Sequence, residues 1–140
     1  MFKRILVAVD VSGTSDLALE TAIKLAFEQE ARLRIVHVID TVNINMGATE
    51  MIDQPALLDA MIRNGQATLA QAEAVATAAG LAVETNLIEV ETMNQRIAEA
   101  IASDAEAWSS DLIVVGTHGR RGLTRLFLGS VAEGTARLAA

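Results

Sequence analysis

The chain has 140 residues, which predicts a single domain over residues 1–140. Eleven basic and 18 acidic residues give a net charge of −7, which argues against binding to the nucleic-acid backbone or to anionic membranes. A hydrophobic fraction of 51% argues against disorder, and the lack of cysteine excludes disulfides, thiolate metal sites and cysteine nucleophiles. No apolar run has the length of a membrane helix and no signal peptide is recognisable, so we expect a cytoplasmic protein.

Strands and helices are predicted to alternate along the chain. Continuous aliphatic runs indicate strands buried on both faces, and apolar residues at helical spacing indicate the helices between them. Pro55 and Gly80 delimit a long alanine-rich helix, and residues 92–95 fit a capping box that starts the next one. In chain order we predict a strand over 4–9, a helix over 15–30, a strand over 32–39, a loop over 40–54, a helix over 55–79, a strand over 82–90, a helix from the capping box to 108, a strand over 111–116, a loop over 117–128 and a helix from 130 to the end.

This alternation is typical of α/β proteins with a doubly wound, Rossmann-like parallel sheet and right-handed helical crossovers. In such sheets the ligand binds beyond the C-terminal ends of the strands, where the strand order reverses. Two segments at that edge carry suitable chemistry, namely the turn that begins at Asp10 and the loop that begins at Gly116. We therefore expect these two segments to form the functional site.

The loop after the fourth strand is rich in glycine. Four of the nine glycines fall within residues 116–129, at Gly116, Gly119, Gly122 and Gly129. Glycine lets the backbone approach phosphate oxygens, and a helix that begins at Ser130 would offer free N–H groups and a partial positive charge. The loop also carries three basic residues, which favour an anion in an otherwise acidic chain: Arg120, Arg121 and Arg125.

Two interpretations of this loop stay open on the residues alone. It binds phosphate, or it is a glycine-rich loop capped by serine whose arginines are merely solvated. It is not a Walker P-loop, because no Gly-Lys-Ser/Thr follows, and it is not a dinucleotide fingerprint, because no G-x-G is present.

A known family shares this spacing. Gly116-x-x-Gly119, nine residues and then Gly129–Ser130 match the G-2x-G-9x-G-[S/T] signature of universal stress proteins. The segments RILVAVD, IVHV and DLIVVGTHGRRGLTRLFLGSVAE also resemble that family, so the resemblance covers almost the whole chain. It implies the ATP-binding branch, with an adenine nucleotide alpha-hydrolase-like fold and a parallel sheet of order 3-2-1-4-5.

The resemblance also implies which residues bind ATP. Asp10 would contact the adenosine, Val38 would offer backbone groups to the base, and the helix start at Ser130 would hold the phosphates. The family often has a divalent metal, Mg²⁺ or Mn²⁺, on the phosphates, and this sequence identifies no protein ligand for it. The implied ATP-binding residues are Ala8, Val9, Asp10, Val38, Val115, Gly116, Gly119, Gly129, Ser130 and Val131.

The C-terminal end departs from the family pattern. Members usually continue after the last helix into a fifth strand that pairs across a dimer, whereas this sequence ends at Ala140 in a helix-like stretch. We therefore expect a sheet of order 3-2-1-4, its fifth strand missing or not part of the sequence given. That sheet would leave residues 112–115 as an exposed apolar edge, which invites pairing and predicts a homodimer.

Three functions are compatible with the sequence. The first is an ATP-binding stress-response protein with slow hydrolysis at most. The second is an ATP-consuming enzyme of the adenine nucleotide hydrolase-like group, although its SGGxDS-type loop is absent after the first strand. The third is a nucleotide-free interaction module, and the intact glycine signature argues against it.

A hydrolytic triad of Ser130, His118 and Asp10 is not expected, because the G-x-S-x-G elbow is absent. His37 is expected to be structural.

Overall fold

The computed structural model describes residues 2–9, 13–40, 54–90, 97–116, 124–128 and 138–139, with side chains over 2–9, 17–39, 56–90 and 97–115. The bounds agree with the predicted ones to within about two residues from the first strand to the fourth, wherever both ends are described. The capping box lies outside the described residues. The elements are β1 (Arg4–Ala8), α1 (Gly13–Gln29), β2 (Arg32–Asp40), α2 (Gln54–Ala78), β3 (Val83–Val90), α3 (Ile97–Trp108), β4 (Leu112–Gly116), β5 (Thr124–Leu128) and β6 (Leu138–Ala139).

One sheet contains all the described strands, in the order β3-β2-β1-β4-β5-β6. β1 pairs in parallel with β2 on one side and with β4 on the other, and β2 pairs in parallel with β3. The predicted doubly wound α/β fold with strand order 3-2-1-4 is therefore confirmed. The strand order reverses between β1 and β4, since the chain first builds outward from β1 to β3 and then returns to its other side.

Three predictions at the C-terminal end are wrong. Residues 124–128, predicted as loop, form β5, which runs antiparallel to β4. Leu138 and Ala139, predicted as helix, form the short strand β6 beside β5. β4 is therefore not the exposed edge from which a dimer was predicted. The physical reason is that β4 would otherwise leave unpaired N–H and C=O groups on this side, and the segment TRLFL, which contains the strand-favouring residues Thr and Phe, pairs with them.

The side chains of β1 and β2 alternate between two faces of the sheet. On the face toward α1 and α2, Ile5, Val7, Leu33 and Ile35 are completely buried. Alanines on the two helices pack against them, and these small residues let the helices lie close to the sheet. On the other face Leu6 and Val36 pack against Ala105 of α3. Burial on both faces explains why both strands read as continuous aliphatic runs.

The α3 face also carries a polar cluster, which we call the Arg34 network. The guanidinium of Arg34 donates to both carboxylate oxygens of Asp104 at 2.8 and 2.9 Å, and to Glu84 at 3.0 Å. The indole N–H of Trp108 donates to the second oxygen of Glu84 at 3.0 Å. The hydrogen bond with Asp104 raises the pKa of Arg34 above its usual value. The network joins β2, β3 and α3.

Candidate functional site

The ends of β1 and β4 meet at the reversal of strand order. Ala8, the last residue of β1, is paired with Val115, and Gly116 ends β4 one residue later. Parallel strands carry their C-terminal ends to the same edge of the sheet, and diverging connections leave a crevice at such a reversal. The structure therefore brings Ala8, Val115 and Gly116 together at the edge where the sequence predicts the site.

Val38 faces the same crevice through its backbone. The N–H of Val9 donates to the carbonyl of Val36 at 2.8 Å, so the polar groups of Val36 point from β2 toward β1. Backbone groups two residues apart on a strand point to the same side, so those of Val38 also face the β1 side. β1 ends at Ala8, the partner of Val36, whereas β2 continues to Asp40. One N–H and one C=O of Val38 are thus directed beyond the end of β1, an arrangement suited to the edge of a planar base.

The side chain of His37 fixes the position of Val9, the residue that follows β1. Its Nδ1 lies 2.7 Å from the carbonyl oxygen of Val9, and because a carbonyl only accepts, Nδ1 carries the hydrogen and donates it. Val9 is only 6% exposed, and both of its backbone polar groups are bonded to β2. The position at which the chain leaves β1 is therefore set by β2, and in part by a side chain.

Gly65 on α2 makes room for the imidazole. A Cβ atom at position 65 would lie 3.0 Å from Cδ2 of His37 and 2.7 Å from a methyl carbon of Leu87, which is tighter than ordinary contact. The sequence predicts that His37 is structural, and this hydrogen bond agrees with that role, but the sequence did not identify the end of β1 as its partner. A signal was present, because a glycine inside a strongly helical pattern indicates that something approaches the helix closely.

The remaining predicted site residues lie outside the described residues: Asp10, Gly119, Gly129, Ser130 and Val131. The residue before Gly129 is nevertheless described. β5 runs from Thr124, paired with Gly116, to Leu128, paired with Leu112 at the start of β4. Four residues of strand span about 13 Å. Leu128 therefore lies beside the start of β4, at the opposite end of that strand from Gly116, and the structure does not bring it to the reversal point.

Other kinds of site find no support in the described part of the chain. Within it, no group of three or more histidine, aspartate or glutamate side chains is arranged to hold a metal ion. None of its helices is long and apolar enough to cross a membrane. A groove lined by Phe27, Leu81 and their neighbours lies between the C-terminal ends of α1 and α2. That groove is at the edge where the parallel strands begin, away from the reversal point.

Comparison with known proteins finds a family model and several relatives that match most or all of the chain. The model of the universal stress protein family matches residues 1–140. The chain is 35% identical over 144 aligned residues to the universal stress protein YxiE of Bacillus subtilis, covering 99% of this chain and 94% of that protein. A solved structure of a family protein from Burkholderia pseudomallei is 36% identical with a TM-score of 0.72, covering 83% of this chain and 82% of that one.

Two more distant structures share the fold and contain nucleotides. A universal stress protein from Archaeoglobus fulgidus in complex with dAMP is 21% identical with a TM-score of 0.61, and covers 81% of this chain and 80% of its own. A universal stress protein in complex with cAMP is 22% identical with a TM-score of 0.60, and covers 82% and 76%. Each of these ligands is an adenine nucleotide.

Proposed function

Because the chain belongs to the universal stress protein family, we propose that it binds ATP and uses it as a bound signal in a stress response, with slow hydrolysis at most. The observation that carries the proposal is the pairing of Ala8 with Val115, since it places the reversal of strand order, where such sheets bind their ligands, at the C-terminal ends of β1 and β4. The relatives that were crystallised with dAMP and cAMP support an adenine nucleotide as the ligand.

In this proposal the adenosine part binds between the ends of β1 and β2. The N–H and C=O of Val38 hydrogen-bond the edge of the adenine, because they face the space beyond the end of β1. Val115 forms the floor of the pocket beside Ala8 and Val9. Asp10, the next residue along the chain, accepts hydrogen bonds from the ribose hydroxyls.

The phosphates bind on the side of β4. Gly116 and Gly119 let the backbone approach the phosphate oxygens, and the basic side chains of the loop offset their charge. Gly129, Ser130 and Val131 complete the phosphate contacts as the resemblance implies. A divalent metal, Mg²⁺ or Mn²⁺, would accompany the phosphates as the resemblance implies, because such ions prefer phosphate and other oxygen ligands.

Calorimetric titration with ATP and with adenosine tests the proposal. We expect ATP to bind more tightly than adenosine, because the glycine loop and its arginines contact only the phosphates. Gly119→Val should remove that advantage by blocking the close approach of the backbone, and Gly122→Val, in the same loop but outside the signature, is the matched control. Equal affinity of the wild-type chain for ATP and adenosine would contradict the phosphate role of the loop.

Gly129→Val tests the second half of the signature separately. If Gly129 contacts the phosphates of the same nucleotide, its variant loses the ATP advantage as Gly119→Val does. If only the loop between β4 and β5 contacts them, Gly129→Val binds ATP as the wild type does, in agreement with the position of Leu128 at the opposite end of β4. The two variants thus measure how much of the signature one nucleotide engages.

Turnover and assembly need their own measurements. We propose turnover with ATP far below the roughly 1 to 1,000 per second of ordinary enzymes, because the sequence carries no recognised pair of base and nucleophile. Robust hydrolysis that disappears in Asp10→Asn would favour the ATP-consuming enzyme instead. Homodimerisation stays a proposal that rests on the family resemblance, and light scattering at several protein concentrations tests it.

A further inference from the structure

We propose that His37 is a positioning residue for the adenine nucleotide, a role that rests on the proposed function and adds a side chain to it. Its imidazole donates to the carbonyl of Val9 at 2.7 Å and so holds the chain where it leaves β1. The next residue is Asp10, which we assign to the ribose, and the residue after His37 is Val38, which we assign to the base. One hydrogen bond therefore ties together the two segments that would hold adenosine.

The bond lies where the backbone pairing of β1 with β2 ends. β1 is paired with β2 through Ala8 and Val36, and the N–H of Val9 makes one further backbone bond to Val36. Among the described residues, the carbonyl of Val9, directly after β1, makes the last bond from this segment to β2, and its donor is a side chain. A side-chain donor reaches this carbonyl without drawing the two backbones together. The crevice can then open directly beyond Val9, with the N–H of Val38 facing it.

The imidazole of His37 is also confined on its Cδ2 side, by α2 and β3. Gly65 of α2 approaches it so closely that a single added carbon would lie 3.0 Å from Cδ2 of His37. Leu87 of β3 packs at the same place, since its methyl carbon would lie 2.7 Å from that added carbon. A ring confined between a helix and a strand keeps one rotamer, so its Nδ1 stays aimed at Val9. This confinement distinguishes a positioning group from an exposed histidine that bonds transiently.

Two substitutions of His37 separate the hydrogen bond from the packing. His37→Leu keeps apolar bulk against Gly65 and removes the donor, and we expect it to weaken binding of ATP and of adenosine by the same factor, about tenfold or more. His37→Asn places an amide N–H near the position of Nδ1 and should restore affinity to within about threefold of the wild type. The equal loss for both ligands is the diagnostic feature, since His37 acts on the adenosine end and Gly119→Val should affect ATP alone.

Leu33→Ala is the structural control. It removes completely buried apolar bulk at the start of β2, at the other end of the strand from Val38, and leaves the ring, its confinement by Gly65 and Leu87, and the donor in place. We expect it to lower the free energy of unfolding while the affinity for adenosine changes by less than about threefold at a temperature well below its melting point. If His37→Leu and Leu33→Ala weaken adenosine binding equally, His37 acts only through stability and the positioning role is wrong.

Gly65→Ala provides a second test of the positioning role, and it leaves the His37 side chain itself unchanged. The added carbon displaces the ring, so the ¹⁵N resonance of Nδ1 should shift and adenosine binding should weaken, whether or not the better helix propensity of alanine raises stability. A shifted resonance with unchanged affinity would overturn the proposal. If His37→Leu fails to fold, this variant still decides the question.

The wild-type titration separates this proposal from the one on which it rests. A wild-type chain that binds neither ATP nor adenosine overturns both. A wild-type chain that binds adenosine, together with a folded His37→Leu that binds it equally well, overturns the positioning role alone and leaves the proposed function standing.

Discussion

The two faces of β2 are held in opposite ways. Toward α1 and α2, Leu33 and Ile35 are completely buried among aliphatic residues. Toward α3, Arg34 lies beside the buried Val36 with its charge matched by Asp104 and Glu84. The first face is stabilised by apolar area removed from water, which is nondirectional. The second depends on every partner of a partly buried charge being in place, because desolvation of the ions offsets much of their attraction. The two faces of one strand should therefore respond differently to substitution, the first in proportion to the apolar area lost and the second according to which charged partner is removed.

The largest effect should come from truncation on the apolar face. Ile35→Ala removes three carbons from a fully buried site and leaves a cavity, so we expect the free energy of unfolding to fall by about 3–4 kcal/mol. Chemical denaturation with urea measures this value. Val75→Ala on α2, where the side chain is 49% exposed, is the control and should change stability by less than about 0.5 kcal/mol. A loss below about 1 kcal/mol in Ile35→Ala would contradict the role of this face as the main core.

The Arg34 network should show a smaller but strongly non-additive effect. Asp104→Ala leaves Arg34, whose side chain is only 16% exposed, with Glu84 as its remaining acidic partner. We expect a loss of about 2 kcal/mol, because the partly buried guanidinium loses its two hydrogen bonds to Asp104 and keeps only the one to Glu84 among those described. The double variant Arg34→Met with Asp104→Ala removes both charges and should lose less than the sum of the single variants Arg34→Met and Asp104→Ala.

A double-mutant cycle by urea denaturation makes that measurement. The side chain of Trp108 provides an independent signal, since it lies 5.9 Å from the guanidinium carbon of Arg34 and 5.7 Å from that of Arg4, measured to the ring centroid. Its fluorescence should change in Asp104→Ala and remain unchanged in Ile35→Ala below the unfolding transition. Strict additivity in the cycle would mean that the two faces are stabilised by the same kind of interaction after all.

The sequence predicted the central part of the sheet because its signals there agree. The short aliphatic runs within residues 4–9 and 111–116 favour doubly buried strands, and Gly80 follows the end of α2 as predicted, with a φ of 91°. The C-terminal prediction failed for residues 124–128 because this short segment has no alternating pattern and follows a stretch rich in glycine and arginine, so no local signal indicated its pairing with β4. For the site, local sequence located the ends of β1 and β4. The bond from His37 to Val9 depends on the spacing between strands, which no local pattern contains.

The smallest effect that we predict concerns the C-terminal ends of the helices, and we expect it to have the same size on both faces of the sheet. α1, α2 and α3 end in one motif, in which a residue of positive φ follows the helix and the next N–H bonds back to a carbonyl five residues earlier. The residue of positive φ is Gly80 after α2, but it is Glu30 at 56° after α1 and Ser109 at 63° after α3. Left-handed backbone costs a non-glycine residue about 1 kcal/mol, so Glu30→Gly and Ser109→Gly should each raise stability by up to about that amount.

Charge must be separated from conformation at the end of α1. Glu30 places a negative charge at the negative end of the helix dipole, so its removal alone should help by a few tenths of a kcal/mol. Glu30→Gln measures that part, and the further gain in Glu30→Gly measures the backbone part. Gly80→Ala is the reverse experiment and should lower stability by about 1 kcal/mol, although open space surrounds its missing side chain. Since the motif is local, thermal unfolding should give similar backbone values for Glu30→Gly and Ser109→Gly. A gain confined to one of them would show that the packing of that face, and not the helix end, sets the cost.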